Sequence, residues 1–296
     1  MNKKYSGVVV PMITPIDEAG QIDMLSVTKI IKRFGACGVS PLLMGTTGEG
    51  YSLSGEQAIK LARTVINTPH ENMVIYMGLN GSCLSEQLRL ADHLTLLDAD
   101  VMVVTLPPYY TLTAKQIYHY YRTLADRLSA PLMIYNIPST THQSIPLGVV
   151  KQLSEHPNIV GIKDSERDLE RMEACIKLAR DNAGFSYFCG WAAQCVNSLE
   201  MGADGIVPDT GNYAPEMFAD LYYKVLTHNM TTARELQTRT DRIAHIYQAN
   251  RSPGESLAAL KVMMTYAGLC QPYMLSPLTR LTPQEEQDII AKLKFH

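Results

Sequence analysis

The chain has 296 residues, 46% of them hydrophobic and 19% charged, with a formal net charge of −3. That composition suits a soluble globular protein with room for one large α/β barrel or two medium domains, and it lacks the basic face that a nucleic-acid backbone requires. No apolar run reaches the roughly 20 residues of a membrane span. The polar start Met1-Asn2-Lys3-Lys4-Tyr5 enters a strand without a signal-like apolar segment, so the cytoplasm is the expected compartment and neither nucleic acid nor membrane is an expected partner.

Taken in chain order, Gly7-Val8-Val9-Val10-Pro11-Met12-Ile13 reads as a strand, and Met24 to Phe34 has helical periodicity closed by Gly35 and Gly38. Pro41-Leu42-Leu43-Met44 is a short apolar run ending in Gly45-Thr46-Thr47-Gly48-Glu49-Gly50, and a helix follows with Ser54 and Gln57 spaced as a capping box. Met73–Gly78 is the next strand, with a helix over Ser85–Leu97. Val101–Leu106 runs into Pro107-Pro108-Tyr109-Tyr110 and a helix over Ala114–Arg127. Pro131–Asn136 precedes a polar loop and a helix near Leu147–Leu153. Beyond Asn158 comes a strand ending in a lysine, then an amphipathic helix over Leu169–Arg180. Phe185–Gly190 leads to a helix over Ala192–Met201, and Asp204-Gly205-Ile206-Val207 to one over Pro215–Leu226.

Eight strand–helix units between residues 7 and 227 predict a (β/α)8 barrel, because short apolar strands alternating with helices build a parallel sheet covered on both faces. An open doubly wound sheet would carry a glycine-rich fingerprint after its first strand, and none follows Val10. Residues 231–249, 255–267 and 283–293 read as three more helices with no linker before them. The expected organisation is therefore a barrel over 1–227 with a helical extension over 228–296 packed on it. The six cysteines form no CxxC pair and the eight histidines no HExxH pattern, which predicts reduced, mostly buried thiols and no metal site.

The stretch Asn158-Ile159-Val160-Gly161-Ile162-Lys163-Asp164-Ser165 stands out. A lysine is a poor choice inside a strand buried on both faces. At the strand's last residue it either marks the exit into solvent or reaches into a pocket, where burial favours the neutral, nucleophilic form of an amine. Barrel active sites lie at the C-terminal strand ends. In this chain those ends carry Thr46-Thr47, Tyr109-Tyr110, Tyr135-Asn136 and Lys163, with Trp191 and Asp209 farther round. One amine, several hydroxyls and few carboxylates lack the carboxylate pair of a glycosidase and the acid–histidine cluster of a metal hydrolase. The set suits imine chemistry on a 2-oxo acid. Each residue also has a plainer reading: Gly45, Gly48 and Gly50 as a tight turn needing positive φ, Tyr109 and Tyr110 as interface or core aromatics, Tyr135 as a strand-end residue with a satisfied hydroxyl.

In order and spacing, Gly45-Thr46-Thr47-Gly48-Glu49, Pro108-Tyr109-Tyr110, Tyr135-Asn136-Ile137-Pro138 and Gly161-Ile162-Lys163 resemble the dihydrodipicolinate synthase / N-acetylneuraminate lyase superfamily over nearly the whole chain. The resemblance implies a barrel with a C-terminal helical extension, a homotetramer built as a dimer of dimers, and class I aldolase chemistry on pyruvate without metal or organic cofactor. It implies that Lys163 forms the Schiff base and that Tyr135 shuttles protons. It implies further that Thr46 and Thr47 bind the pyruvyl carboxylate and link Tyr135 to a hydroxyl relay, and that Tyr110 reaches into a neighbouring subunit's site. Gly45, Gly48, Ser165 and Ile206 join the substrate-binding candidates.

Departures from the family pattern narrow the substrate. Thr140 stands where lysine-pathway synthases carry an arginine, and a threonine cannot supply a bidentate charged fork. Gly190-Trp191-Ala192-Ala193 lacks the Asp-Glu pair of the sialic-acid lyases, leaving Trp191 as a packing residue or a wall of the acceptor pocket. Asp164, Ser165, Gln194 and Asp209 are possible hydroxyl readers; His142 and Arg167 stand where glycine is usual. Gly211-Asn212 resembles the eighth-strand loop of sugar-acid aldolases. The expected activity is cleavage or formation of a 2-oxo-3-deoxy sugar acid or a 4-hydroxy-2-oxo acid. A lysine-pathway synthase, a sialic-acid lyase or a 2-oxo-acid dehydratase is the alternative within the superfamily, and a non-catalytic 2-oxo-acid-binding barrel the alternative outside it.

Overall fold

The computed structural model describes residues 3–70 and 72–294; Met1 and Asn2 of the polar start read above lie outside them. Eight strands follow one another in chain order around a closed barrel: β1 (Gly7–Pro11), β2 (Ser40–Leu43), β3 (Tyr76–Gly78), β4 (Val101–Thr105), β5 (Leu132–Asn136), β6 (Ile159–Asp164), β7 (Ser186–Cys189) and β8 (Gly205–Ile206). The helices that alternate with them are α1 (Met24–Cys37), α2 (Gly55–Ile66), α3 (Leu84–Thr95), α4 (Ala114–Arg127), α5 (Pro138–Thr141), α6 (Leu147–Ser154), α7 (Leu169–Asp181), α8 (Cys195–Glu200) and α9 (Pro215–Leu226). Three more complete the chain: α10 (Met230–Gln248), α11 (Pro253–Tyr266) and α12 (Pro283–Leu293). The fold is a (β/α)8 barrel with C-terminal helices. No helix of the described residues is long and apolar enough to cross a membrane.

The chain divides into two compact units, Met1–Val9 with Val74–Pro208 and Val10–Met73 with Asp209–His296. In the first, parallel pairing runs from β3 to β8 and on to Gly7 and Val8 of β1. The informative irregularity lies between β5 and β6. Leu132 is opposite Ile159 but Met133 is opposite Gly161, so Val160 is an extra residue, a β-bulge. Beyond it Tyr135 faces Lys163 and Asn136 faces Asp164. Without it Ile162 would stand opposite Tyr135, and a one-residue slip turns every later side chain to the other face. Gly161 permits this backbone path, since a Cβ there would lie 2.5 Å from the Ser186 carbonyl oxygen. Gly205 plays a comparable part on β8: the Phe188 ring fills the place of its side chain, 2.3 Å from an added Cβ.

In the second unit, α1 starts on Asp23, whose carboxylate accepts from the Leu25 and Ser26 N–H groups. It runs through Gly35 and ends on Gly38 at φ 68°. The sequence predicts a helix closed by Gly35 and Gly38, but Gly35 does not stop it: its backbone is helical, and only Gly38 adopts the left-handed conformation that terminates one. Ser54 and Gln57 form the anticipated capping box at α2. After β2 the left-handed residues are Met44 and Glu49, at φ 55° and 54°, and not the glycines between and beside them. Gly48 is required for another reason. A Cβ there would sit 2.7 Å from the Met12 carbonyl, and Thr14 donates its hydroxyl to the Gly48 carbonyl at 2.6 Å.

A buried ion pair anchors the same loop. Glu49 Oε1 lies 2.5 Å from Lys261 Nζ of α11, the two side chains 0% and 1% exposed. Glu49 Oε2 accepts the Leu275 N–H at 2.7 Å, and Lys261 also donates to the Tyr273 carbonyl at 2.7 Å. Both charges are thus neutralised and hydrogen-bonded, as buried charges must be. Asn212 closes the arrangement from the 3₁₀ turn over Asp209–Asn212 that precedes α9: it accepts from the Ile13 N–H at 2.9 Å and donates to the Pro11 carbonyl at 2.9 Å.

Elsewhere the elements fall within a few residues of where the sequence places them, although β3 begins only at Tyr76 and not at Met73, and three further adjustments stand out. The polar loop after Asn136 contains α5, a single turn opened by Pro138 at its first position. The helix expected over Ala192–Met201 is a 3₁₀ turn at Ala192–Gln194 followed by α8. Lys163 is the penultimate residue of its strand, because Asp164 still pairs on both sides. Cys175, Cys189, Cys195 and Cys270 are buried free thiols, and Cys83 is exposed. Burial pushes Cys175 and Cys270 up to about 12 and Cys189 up to about 11, which keeps them protonated at neutral pH.

Two substitutions test this reading. Gly161→Ala places a Cβ against backbone and is expected to lower stability in urea unfolding by about 1–3 kcal/mol. Lys261→Met strands a buried carboxylate and is expected to lose about 3–5 kcal/mol, with most of the loss recovered in the double variant Lys261→Met/Glu49→Gln.

Candidate active site

Lys163 comes from the C-terminal end of β6 and Tyr135 from that of β5, side by side in register. Both are buried, at 4% and 5% exposure. The Lys163 Nζ lies 3.8 Å from the centroid of the Tyr135 ring. Among the described residues no hydrogen bond or ion pair engages that nitrogen. Thr105 of β4 is in register with Tyr135, and Phe188 of β7 with Lys163, so four neighbouring strands present Thr105, Tyr135, Lys163 and Phe188 as one row.

The next row, Asn136 and Asp164, points the other way and is polar. Asp164 Oδ1 accepts from Asn136 Nδ2 at 3.0 Å and from the Glu166 N–H at 2.9 Å, while Oδ2 accepts from Arg171 Nε at 2.7 Å. Burial pushes the Asp164 carboxyl up, against the lowering pull of the Arg171 guanidinium and of these hydrogen bonds. Asp164 is therefore engaged with protein groups and is not the hydroxyl reader its position suggested. Neither the role of Arg171 nor that of Glu166 was visible in the sequence, because their partners lie on other elements and no local spacing marks them.

The other candidates in this unit occupy distinct settings. Ser165 Oγ packs against Gly190, where an added Cβ would approach it to 2.2 Å, and the Gly190 N–H donates to the Asp164 carbonyl at 2.7 Å. Ile206 is buried on β8 opposite Cys189. The Thr140 hydroxyl donates back to the Ile137 carbonyl at 3.3 Å, within α5. His142 ends that turn in the left-handed region at φ 58°, with its side chain exposed. This explains why a glycine would serve there, and His is one of the side chains that tolerate the conformation. Tyr110 is 68% exposed and stacks edge-on against Tyr109 with ring centroids 4.8 Å apart. Trp191 is half-buried at the 3₁₀ turn after β7, and Arg167 is exposed.

In the other unit, Gly45, Thr46, Thr47 and Gly48 form the loop after β2 described above; Thr47 is buried and Thr46 half-buried. Asp209 accepts from Gln248 Nε2 at 3.0 Å and from the Thr210 N–H at 3.0 Å. Among the described residues no group of three His, Cys, Asp or Glu side chains is arranged to hold a metal ion.

Comparison with known proteins places this arrangement in a family. The family model described as the dihydrodipicolinate synthetase family matches residues 4–296. The chain is 28% identical over 291 residues to a 4-hydroxy-tetrahydrodipicolinate synthase of Phenylobacterium zucineum, covering 98% of this chain and 97% of that one. It is 26% identical over 291 residues to a probable 2-dehydro-3-deoxy-D-pentonate aldolase of Escherichia coli, covering 97% and 96%. A dihydrodipicolinate synthase structure from Bacteroides thetaiotaomicron superposes over 100% of both chains, with a TM-score of 0.94 at 26% identity. The chain therefore belongs to the dihydrodipicolinate synthetase family and is a carbon–carbon lyase of the class I aldolase type.

Proposed function

We propose that the protein is a pyruvate-dependent aldolase that cleaves or forms a 2-oxo-3-deoxy sugar acid or a 4-hydroxy-2-oxo acid through an imine on Lys163. The observation that carries this reading is the buried amine, without an ion-pair partner among the described residues, held against the Tyr135 ring at 3.8 Å. A lysine kept in such a place for packing alone would lose free energy to desolvation, offset only in part by the ring face.

In the cleavage direction the neutral Lys163 amine adds to C2 of the 2-oxo acid, and loss of water gives a protonated imine. Tyr135 accepts the proton of the C4 hydroxyl as the C3–C4 bond breaks. The bonding electrons pass to the imine, releasing an aldehyde and leaving an enamine. Protonation at C3 and hydrolysis then return pyruvate and the free amine. Thr46 and Thr47 bind the pyruvyl carboxylate on this proposal, with Gly45 and Gly48 shaping the loop that carries them. Ser165, Ile206, Thr140, Trp191 and Asp209 are the candidates for contacts with the rest of the substrate. The motif order in the sequence supports these roles.

A threonine at position 140, whose hydroxyl turns back to its own helical turn, supports an aldolase over a synthase that must grip a second carboxylate. The proposal includes neither metal nor organic cofactor. It also includes a cytoplasmic homotetramer, arranged as a dimer of dimers, in which a neighbouring subunit covers Tyr110; the exposure of that ring supports this assembly.

Borohydride reduction in the presence of pyruvate, followed by peptide mass measurement, is expected to leave one pyruvyl adduct, on Lys163. Folded protein that acquires no adduct, or acquires it on another lysine, would refute the reading. Tyr135→Phe is expected to retain imine trapping while kcat for pyruvate release from a panel of 2-oxo-3-deoxy acids falls by about 10²–10⁴-fold, the scale of general acid–base catalysis.

A further inference from the structure

We infer that Arg171 is a positioning residue for the catalytic pair, acting through Asp164, Glu166 and Asn136; the inference rests on the imine reading above. The residues next to Tyr135 and Lys163 on their strands, Asn136 and Asp164, are themselves in register. Their side chains leave the sheet on the face opposite to the catalytic pair. There they enter a closed circuit of hydrogen bonds. Asn136 Nδ2 donates to Asp164 Oδ1 at 3.0 Å and to Glu166 Oε2 at 2.9 Å, and Asn136 Oδ1 accepts the Ile145 N–H at 3.0 Å. Arg171 Nε reaches Asp164 Oδ2 at 2.7 Å and Glu166 Oε2 at 3.3 Å, and its Nη1 donates to the Ile145 carbonyl at 2.8 Å. Ser144 donates to Glu166 Oε2 at 2.6 Å, and the Ser165 N–H to the Asn136 carbonyl at 2.9 Å. One guanidinium thus ties together the ends of β5 and β6, the 144–145 loop and α7.

Stability alone does not account for this construction. A buried ion pair repays its desolvation poorly, and well-packed apolar residues of similar volume often hold a fold as well or better. What the planar fork supplies is direction: two nitrogens in fixed geometry, Nε and Nη1, hold two carboxylates and a carbonyl at once, which neither an apolar side chain nor a lysine can do. The rigidity is spent one residue away from the reacting groups. Lys163 carries four flexible methylenes, so the position of its nitrogen over the Tyr135 ring depends on where the two strand ends stand. A misplacement of about 1 Å between reacting groups is enough to slow chemistry by about 10²-fold.

The test uses the full-length protein and pyruvate alone. An enamine formed on Lys163 exchanges the methyl protons of pyruvate for deuterons in D2O, and proton NMR follows the loss of the methyl signal. Wild type is expected to exchange. Arg171→Lys is expected to remain folded, with the rate at saturating pyruvate reduced about 10-fold and the half-saturating concentration within about 2-fold of wild type. Arg171→Met is expected to lose about 100-fold in the saturating rate. Arg171→Lys that is folded and exchanges within 2-fold of wild type would overturn the inference, whether or not Arg171→Met folds. So would a rise in half-saturating pyruvate at an unchanged saturating rate, because that would make the role one of binding. Slow exchange by folded Arg171→Lys beside an unfolded Arg171→Met still supports positioning, since the conservative variant then separates geometry from stability. A wild-type protein that neither exchanges nor traps pyruvate would instead defeat the imine reading itself.

Discussion

The arrangement that the rest of the first compact unit serves is an amine buried in a strand with no counter-ion among the described residues. Lys163 is 4% exposed, and its nitrogen meets the face of Tyr135. An aromatic face offsets part of the desolvation of a cation, by about 2 kcal/mol or more in a dry setting. Removing an ammonium from water costs several kcal/mol after relaxation. That buried nitrogen, set against a ring with no ion pair among the described residues, is the geometry on which the imine proposal rests. Around that nitrogen the chain spends ordinary folding energy on placement: a bulge selects the register, glycines remove side chains where backbones approach, and a guanidinium fixes the strand ends.

The bulge is the least conspicuous of these devices and the most consequential. An uninterrupted β5–β6 ladder continuing from Leu132 and Ile159 would bring Ile162 opposite Tyr135 and send the Lys163 side chain to the helix-covered face. The extra residue Val160 reverses both outcomes, and the missing side chain of Gly161 lets the strand pass close to Ser186. Phe188, in register with Lys163 and with Gly205, packs into the space the glycine leaves. Large and vanishing side chains thus alternate across neighbouring strands, as a filled barrel interior requires.

Much of this was legible in the chain itself. The eight strands, their order and the capping box at Ser54 follow from local hydrophobic period and local hydrogen bonding, and local signals survive folding unchanged. α4, α9 and α12 have the bounds read from sequence, because Arg127, Leu226 and Leu293 end clean apolar periodicities. Signals that depend on a distant partner were not readable. Glu49 looked like part of a loop motif, yet its partner Lys261 lies in α11. Asp164 looked like a free acid at a strand end, yet Arg171 and Asn136 occupy it. Gly35 shows the converse error, a glycine taken as punctuation where the helix simply continues. The loop after β2 shows a subtler one: its glycines are needed for close approach, while Met44 and Glu49 take the left-handed conformations.

A crystal structure of the protein soaked with pyruvate tests the central claim most directly. The account predicts continuous electron density from the Lys163 nitrogen to C2 of the keto acid, with the Tyr135 hydroxyl within hydrogen-bonding distance of the adduct. Pyruvate held without a covalent bond, or a Lys163 nitrogen turned toward bulk water away from the Tyr135 ring, would contradict it.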